Sequence, residues 1–335
     1  MINRDLFIIA ELSANHNNDL ELAIKTIEAA AQSGADAIKV QTFTADSLTL
    51  NVDNEFFGPR KDGLWKGRTL YDLYTEGALP YAWHKQLQKV AIDNGLIFFS
   101  SPFAKKDVDF LETLDVPIYK IASFEITDIP LIEYTASKGK PMIISTGIAD
   151  IGDIELALAT CKKAGNTDVT LLKCTSEYPA TPDKANLLTI PDMKKRFGAR
   201  VGLSDHTMGS TVPVAAVALG ATVIEKHFIL DRSLGGIDSS FSMQPDEFAE
   251  MAKAVREAYT ALGVASYELT ERNRLRRRSL FAAEDIQTGD VFTEQNVRSV
   301  RPGHGLHPKY YDEVLGKKAI KNISKGNKLS VEDFN

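Results

Sequence analysis

The sequence predicts an α/β fold, a (β/α)8 TIM barrel followed by a small C-terminal domain. Eight short apolar runs of strand length alternate with segments of helix length, and no hairpin signal separates them. Strands that are joined through helices lie parallel in one sheet, and eight of them close a barrel. Because there are eight strands, we prefer a closed barrel to an open, doubly wound sheet. After about residue 263 the alternation stops, which indicates a small extra module.

The elements follow in a regular order along the chain. Strands are predicted at residues 6–10, 37–40, 97–99, 119–121, 142–144, 169–172, 201–203 and 222–224. Helices are predicted at residues 20–33, 81–94, 106–114, 129–138, 151–164, 193–197, 211–219 and 245–262. Gly34 and Gly95 stand just after two of the helices, where glycine favours helix termination. The long polar insertion at 42–79 is typical of a functional loop.

Composition limits the function classes. The chain has 335 residues, enough for a barrel of about 250 residues and a small module. A net charge of −6 disfavours nucleic acid as a partner. With only Cys161 and Cys174 there is no disulfide framework, which predicts a cytoplasmic protein. No apolar run approaches the roughly 20 residues of a membrane helix, and the N-terminal run is too short for a signal peptide.

The domain boundaries follow from the change in pattern. We predict a barrel at 1–265, a linker at 266–278 and a compact, mostly non-helical module with glycine turns at 279–335. The basic segment 271–278 could contact phosphates or nucleic acid. A solvated linker helix is favoured instead, because the chain as a whole is acidic.

Two histidines follow the last two predicted strands, His206 in SDHT and His227 in EKHF. Neighbouring parallel strands lie about 4.8 Å apart, so residues just past their carboxyl ends can share one ligand. Two imidazoles there, flanked by Asp205 and Glu225, predict a divalent metal site with open positions. The alternative is that each His is an ordinary hydrogen-bonded residue at a strand end. A matched pair on consecutive strands favours the metal.

Polar residues cluster where barrel enzymes keep their active sites, at the carboxyl ends of the strands. This predicted rim consists of Glu11, Lys39, Gln41, Ser101, Lys120, Ser123, Glu125, Ser145, Ser204, His206 and His227. The two rim lysines, with nearby serines and the N–H of Gly147, predict an anion site. The alternatives are a Schiff-base lysine, which the neighbouring carboxylates disfavour, and salt bridges that close the top of the barrel. A metal beside an anion site and two carboxylates indicates carbon–carbon bond formation with an aldehyde.

A set of motifs occurs in one order along the chain: AELSANHN, KVQTF, SSPF, YKIASFE, STG, LLKCTSEYP, GLSDHT, EKHF and RPGHGLHP. Together they resemble the sialic acid synthase family over nearly the whole chain. The segments GRTLYDLY at 67–74 and LPYAWH at 79–84 look most like the pseudaminic acid branch of that family. The loop SANHN, in place of a GINH-type loop, points the same way.

The resemblance implies a barrel with a C-terminal antifreeze-like (SAF, β-clip) domain and a domain-swapped homodimer. It implies that His206 and His227 hold Mn²⁺, Mg²⁺ or Co²⁺. Glu11 and Gln41 match positions at the sugar site, and Glu125 matches the carboxylate that assists proton transfer. Positions that hold phosphoenolpyruvate match Lys39, Ser101, Lys120, Ser123, Ser145, Gly147 and Ser204. Further substrate-site positions match Ser176, Tyr178, Asp238 and, in the SAF domain, Arg301.

The function implied by the resemblance is a transferase reaction. Phosphoenolpyruvate condenses with 2,4-diacetamido-2,4,6-trideoxy-β-L-altropyranose, as its open-chain aldehyde, and water gives pseudaminic acid and phosphate by C–O cleavage. An N-acetylneuraminate or legionaminate synthase with a different amino sugar is the first alternative. A metal-dependent barrel aldolase or sugar isomerase, and a non-catalytic carbohydrate-binding protein, are more distant ones.

Overall fold

The computed structural model describes residues 6–61, 63 and 65–335, and in it eight parallel strands close a barrel in the order β1 to β8. This confirms the predicted (β/α)8 class. The strands are β1 (Phe7–Glu11), β2 (Ala37–Thr42), β3 (Ile97–Pro102), β4 (Tyr119–Ile121), β5 (Met142–Ser145), β6 (Val169–Cys174), β7 (Arg200–Asp205) and β8 (Val223–His227). The barrel closes where Glu11 of β1 pairs with Lys39 of β2 on one side and His227 of β8 on the other.

Helices follow the strands and cover the outside of the barrel. They are α1 (Leu20–Gln32), α2 (Ala45–Leu48), α3 (Leu70–Gly77), α4 (Tyr81–Asp93), α5 (Lys105–Thr113), α6 (Ile129–Ala136), α7 (Ile151–Lys163), α8 (Thr189–Phe197), α9 (Thr211–Ala218) and α10 (Pro245–Leu262). The insertion at 42–79 was predicted as a loop. It contains the short helices α2 and α3. Ser47 Oγ accepts from the N–H of Thr44 at the start of α2, and Thr69 Oγ1 accepts from the N–H of Asp72 at the start of α3.

Seven strands, all except β4, run further toward their carboxyl ends than predicted, into polar sequence. The reason is that backbone pairing continues while side chains alternate between the barrel interior and the helices. For example, Gln41 still pairs with Ser101, and Cys174 with Ser204. The apolar runs therefore mark only the lower part of each of these strands.

The barrel interior has an apolar floor. Its inward-facing side chains are Phe7, Ile9, Ala37, Phe99, Ile118, Ile143, Leu172 and Val223. The next inward-facing position, two residues closer to the carboxyl end of the strand, is polar or charged. Examples are Glu11, which follows Ile9, and Lys120, which follows Ile118. The active-site candidates thus stand on a packed base that fixes their side chains from below.

The chain divides into two compact units, residues 1–263 and 264–335. The second unit contains α11 (Glu271–Leu275), an antiparallel pair β9 (Ser279–Ala282) and β10 (Val297–Val300), and α12 (Tyr311–Val314). Its core is a separate apolar cluster that includes Leu280, Phe292 and Val297. In the described part of the chain, no helix combines the length and apolar character that crossing a membrane requires.

Gly202 of β7 provides a test of the barrel floor. A Cβ added there would lie 2.4 Å from the carbonyl oxygen of Val223 and 2.7 Å from Leu172 Cδ2. Because these neighbours belong to the packed interior, we expect Gly202→Ala to lower the free energy of unfolding by about 1–3 kcal/mol. Urea denaturation followed by circular dichroism measures this. The matched control is Gly152→Ala in α7, where the added methyl meets only the end of the Asp150 side chain and the change should stay within about 1 kcal/mol. Equal unfolding midpoints for both variants would contradict the tight packing of β7.

Candidate active site

A buried ion network lies directly above the apolar floor. Lys39 Nζ is 3.0 Å from Glu11 Oε2 and 3.3 Å from Glu225 Oε1, and Lys120 Nζ is 4.0 Å from the same Glu225 oxygen. All four side chains are almost completely buried. The pattern of alternation produces this meeting, because each residue is the first inward-facing position above the floor on β1, β2, β4 and β8.

Burial affects the two lysines differently. It lowers the pKa of Lys120, which donates to Ser145 Oγ (2.7 Å) and to a backbone carbonyl. For Lys39 the burial is outweighed by the carboxylates of Glu11 and Glu225, and its pKa is raised. Lys39 is therefore a fixed cation held by two carboxylates. Lys120 is less fully neutralised and faces the serine side of the barrel, which suits it to an incoming anion.

Hydroxyls and a glycine backbone crowd together next to Lys120. Ser176 Oγ donates to Ser123 Oγ at 3.0 Å. A Cβ on Gly147 would lie 2.3 Å from Ser176 Oγ and 2.6 Å from Ser123 Oγ, so only glycine fits between them. Ser145, the last residue of β5, lies two residues before Gly147 and accepts a hydrogen bond from Lys120. This places predicted residues from three consecutive βα loops around one small polar recess.

Glu125 lies in the short 3₁₀ turn after β4 and is half-buried. Its Oε2 atom is buried without a hydrogen-bond partner in the described part of the chain. Burial raises the pKa of Glu125 to about 7, and Lys120 opposes that rise only in part. A carboxyl group with this pKa can both give and accept a proton near neutral pH.

The two predicted metal ligands lie side by side, with ring centroids of His206 and His227 5.1 Å apart. His206 Nδ1 donates to the carbonyl of Thr175 at 2.9 Å, which leaves Nε2 with its lone pair. His227 Nδ1 is buried without a partner in the part of the chain that the structure describes, and burial holds the pKa of His227 well below its usual range. Two neighbouring imidazoles, one with an orphaned buried nitrogen, fit a divalent metal. Over the same described residues, no group of three or more His, Cys, Asp or Glu side chains forms a fuller metal cluster.

Only one of the two carboxylates predicted to flank the metal faces the site. Asp205 points to the outside of the barrel, where it accepts hydrogen bonds from Thr207 and Lys226. The prediction that it lies beside the histidines is wrong, because alternation sends Asp205 outward when Ser204 faces inward. Glu225 faces inward but binds Lys39 and accepts a hydrogen bond from Ser204 at 3.0 Å.

The sugar-side candidates are joined by a loop serine that sequence reasoning missed. Gln41 Nε2 donates to Glu11 Oε1 (2.9 Å) and to Ser13 Oγ (3.1 Å). Ser13 Oγ donates in turn to Asp238 Oδ2 at 2.5 Å. Asp238 is thereby held at the same rim as Glu11, although more than 200 residues separate them. The only sequence signal for Ser13 is its place in the SANHN loop.

An aromatic wall closes the histidine side of the site. The ring of Tyr178 lies 4.5 Å from that of His206, and the ring of Phe241 lies 5.0 Å from those of both Tyr178 and His227. Phe241 was not predicted, since it stands in a short turn with no strand pattern around it. Ser101 is buried within the rim and its hydroxyl has no hydrogen-bond partner in the described part of the barrel. Arg301 lies in the second unit, and its predicted role at a substrate site stays a prediction.

Comparison with known proteins identifies relatives over nearly the full length. The NeuB family model matches residues 26–267, and the SAF domain model matches residues 277–334. A pseudaminic acid synthase from Campylobacter jejuni subsp. jejuni serotype O:23/36 (strain 81-176) is 51% identical, over 99% of this chain and 97% of its own length. An N,N'-diacetyllegionaminic acid synthase from Legionella pneumophila subsp. pneumophila (strain Philadelphia 1) is 38% identical, over 96% of this chain and 93% of its own length.

A solved structure agrees with the fold. It is the N-acetylneuraminic acid (sialic acid) synthetase from Leptospira borgpetersenii serovar Hardjo-bovis, in complex with citrate. It superposes with a TM-score of 0.72 at 32% sequence identity, over 81% of this chain and 89% of that chain. These relatives are synthases of acidic sugars, which indicates that the chain is an enzyme.

The ion network predicts a large stability effect. Lys39→Met removes the cation between Glu11 and Glu225 and leaves both carboxylates buried without it, so we expect a loss of about 3–5 kcal/mol in the free energy of unfolding. Adding Glu225→Gln should recover part of this loss. Urea titration of both variants measures it, with Lys89→Met as control, since Lys89 pairs with Asp93 on the exposed surface of α4 and is worth at most about 1 kcal/mol. A loss for Lys39→Met no greater than that of the control would contradict the network.

The raised pKa of Glu125 predicts that the stability of the protein depends on pH. Because burial raises its pKa from 4.5 to about 7, the folded state holds the proton more tightly than the unfolded state. The stabilisation is fully present below about pH 4.5 and is lost as the pH rises to about 7. We expect Glu125→Gln to remove roughly 1–3 kcal/mol of the fall in unfolding free energy between pH 5 and pH 8. Denaturant titrations at both pH values test this, and Glu155→Gln on the exposed face of α7 should follow the unmodified protein. A Glu125→Gln variant with the same pH slope as that control would refute the buried, protonated carboxyl.

Proposed function

We propose that this chain, which belongs to the NeuB family, is a pseudaminic acid synthase. It would condense phosphoenolpyruvate with 2,4-diacetamido-2,4,6-trideoxy-β-L-altropyranose, as its open-chain aldehyde, and release phosphate. The observation that carries this proposal is the 51% identity to a pseudaminic acid synthase over 99% of the chain. The legionaminic acid synthase, at 38% sequence identity, supports the same type of reaction, although its name indicates a different sugar acceptor. Because a carbon–carbon bond forms by transfer of an enolpyruvyl unit, the enzyme would be a transferase.

The serine recess supports binding of phosphoenolpyruvate. Lys120 supplies a buried cation whose charge is only partly neutralised, and Ser145 is already bonded to it at 2.7 Å. The hydroxyls of Ser123 and Ser176 and the backbone of Gly147 provide short, polar contacts next to that cation. These groups would take the phosphate and carboxylate, while Ser101 and Ser204 line the same rim. Because Lys120 is already in place, it would neutralise the charge of the departing phosphate without any rearrangement of the site.

The opposite side of the rim supports binding of the sugar aldehyde. Glu11, Gln41 and Asp238 are linked through Ser13 and offer acceptors and a donor for hydroxyl and acylamino groups. Tyr178 gives an apolar face next to His206. His206 and His227 would hold Mn²⁺, Mg²⁺ or Co²⁺, which when bound supplies a Lewis acid for the aldehyde oxygen.

The bond changes balance as follows. C3 of phosphoenolpyruvate bonds to the aldehyde carbon, whose oxygen takes up a proton, and a water oxygen adds to C2. The C2–O bond to phosphate then breaks while the C2 hydroxyl passes its proton to the leaving phosphate, which gives the 2-keto acid and hydrogen phosphate. Glu125, with a pKa near 7, would orient the water and accept its proton. Glu11, whose pKa burial raises to about 7 against the opposing charge of Lys39, would accept a hydrogen bond from the sugar.

Family membership also supports an assembly and a location. We infer a domain-swapped homodimer in the cytoplasm, in which Arg301 of the second unit would reach the sugar in the other subunit's barrel. The match of the SAF domain model to residues 277–334 supports that module as the source of Arg301.

A phosphate-release assay tests the function. With Mn²⁺ and phosphoenolpyruvate we expect turnover with the diacetamido-altrose at least tenfold above that with N-acetylmannosamine or the legionaminate precursor. Chelation should abolish it, and added Mn²⁺ should restore it. Faster turnover with another acceptor would move the chain to a different branch of the family. Activity without phosphoenolpyruvate would indicate an aldolase or isomerase, and binding without turnover a carbohydrate-binding protein.

The fate of oxygen from water checks the bond that breaks. In H₂¹⁸O the label should enter the keto acid and not the phosphate. Label in phosphate would mean P–O cleavage and would overturn the role given to Glu125.

A further inference from the structure

The insertion at 42–79 is anchored at its base by a buried histidine outside the site. The insertion begins at Thr42, the last residue of β2, and ends just before Pro80, the residue preceding α4. His84, on the first turn of α4, is completely buried. Its Nε2 atom lies 2.8 Å from Thr42 Oγ1, and its Nδ1 atom lies 3.2 Å from the carbonyl oxygen of Pro80. One imidazole therefore bridges both ends of a 38-residue segment.

The hydrogen-bond chemistry fixes the direction of these bonds. A carbonyl oxygen can only accept, so Nδ1 of His84 carries the proton and donates to Pro80. Nε2 must then accept, and the Thr42 hydroxyl donates to it. Thr42 Oγ1 is also 2.6 Å from Ser100 Oγ, and the one Ser100 hydroxyl proton is shared between Thr42 Oγ1 and the carbonyl oxygen of Val40 at 3.0 Å. Burial lowers the pKa of His84 to about 4, so the ring is neutral at physiological pH as this chain of bonds requires.

A second buried histidine holds the same base from the other side. His16, in the loop after β1, accepts from the N–H of Asn18 through Nδ1 and donates through Nε2 to the carbonyl of Gly77 at 3.3 Å. Gly77 ends α3, three residues before Pro80. The insertion is thus attached to the barrel by two neutral, fully oriented imidazoles, and neither faces the ion network.

The attached segment reaches the site at its far end. The ring of Trp65 lies 6.4 Å from that of Tyr178, which in turn contacts His206. Tyr74 of α3 lies close enough to Glu125 for that carboxylate to contribute to the rise in the pKa of the tyrosine. Phe43 packs edge-on against Tyr74 at 6.0 Å and connects it to the base. A change in the hydrogen bonds that hold the ends of the insertion would therefore move aromatic groups on the sugar side of the rim.

From this arrangement we propose that His84 is a positioning residue for the sugar acceptor. By holding Thr42 against the first turn of α4 it sets the pose of the insertion, and through Trp65 and Tyr74 it shapes the acceptor side of the pocket without touching substrate. The inference rests on the proposed function for its kinetic consequence. The anchoring itself does not depend on which acceptor is used.

Two conservative variants separate the two bonds of the ring. In His84→Gln the side-chain amide lies near the position of Nε2 and keeps the bond to Thr42. In His84→Asn the amide lies near the position of Nδ1 and keeps only the bond to Pro80. For His84→Asn we expect the KM of the acceptor to rise at least fivefold, while the KM of phosphoenolpyruvate stays within twofold and kcat within threefold. His84→Gln should stay within twofold of the unmodified enzyme for all three constants.

Thr42→Val removes the other partner of the same bond and should reproduce the His84→Asn effect. The double variant should be no worse than either single variant, because both remove one shared interaction. Limited trypsin digestion gives a readout without substrate, since the insertion carries exposed Lys61 and Lys66. We expect cleavage within 42–79 to be at least fivefold faster in His84→Asn and Thr42→Val than in the unmodified chain. Should His84→Asn fail to fold, the Thr42→Val comparison gives the same test.

The outcomes are distinct. A rise in both KM values together, additive effects in the double variant, or unchanged digestion would overturn the proposal and leave His84 as an ordinary core residue. If a different acceptor proves to be the substrate, the same split in KM is expected with that acceptor. Faster digestion would then still support the anchor while the proposed acceptor fails.

Discussion

The site depends on a pair of lysines and a pair of glutamates buried inside a barrel. Lys39 and Glu225 are at the centre, since Lys39 contacts both carboxylates and Glu225 lies between the two lysines. In a medium of low polarity such charges are tolerated only when each has a partner at close range. The arrangement leaves Lys120 with the weakest neutralisation, and that residue faces the serine recess. The proposed anion site is therefore a consequence of how the four charges share their partners.

Much of this site follows from two regularities of sequence. The strand–helix alternation predicts the barrel, and the alternation of inward and outward side chains places Glu11, Lys39, Lys120 and His227 on one surface. The same rule explains an error, since Asp205 is adjacent to His206 in sequence but faces the helices. Asp238 and Tyr178 were predicted only from the family motifs, because their loops show no regular spacing of apolar residues. Ser13 and Phe241 were beyond prediction, because their positions depend on how irregular loops from distant parts of the chain meet.

The insertion shows the same limit in another form. Its polar composition indicates a loop, and the sequence does not reveal that His16 and His84 fasten it. A histidine within a helix of mixed character, as in YAWHKQL, is compatible with the surface as well as the core. Only the closed barrel brings Thr42, Ser100 and His84 together. In the proposed scheme, residues between the strands and the helices orient the acceptor side, while the charged groups proposed to bind phosphate lie inside the barrel.

The apolar floor closes one end of the barrel interior, so the site opens only at the carboxyl ends of the strands. Phe7, Phe99, Ile143 and Leu172 fill its lower part, and the backbone of Gly202 lies against Val223, so the described residues leave no passage beneath the charged layer. Both reactants, the water and both products must use the same mouth. The sugar acid and phosphate therefore leave through the opening by which the substrates enter, so a product that stays bound there excludes the next substrate.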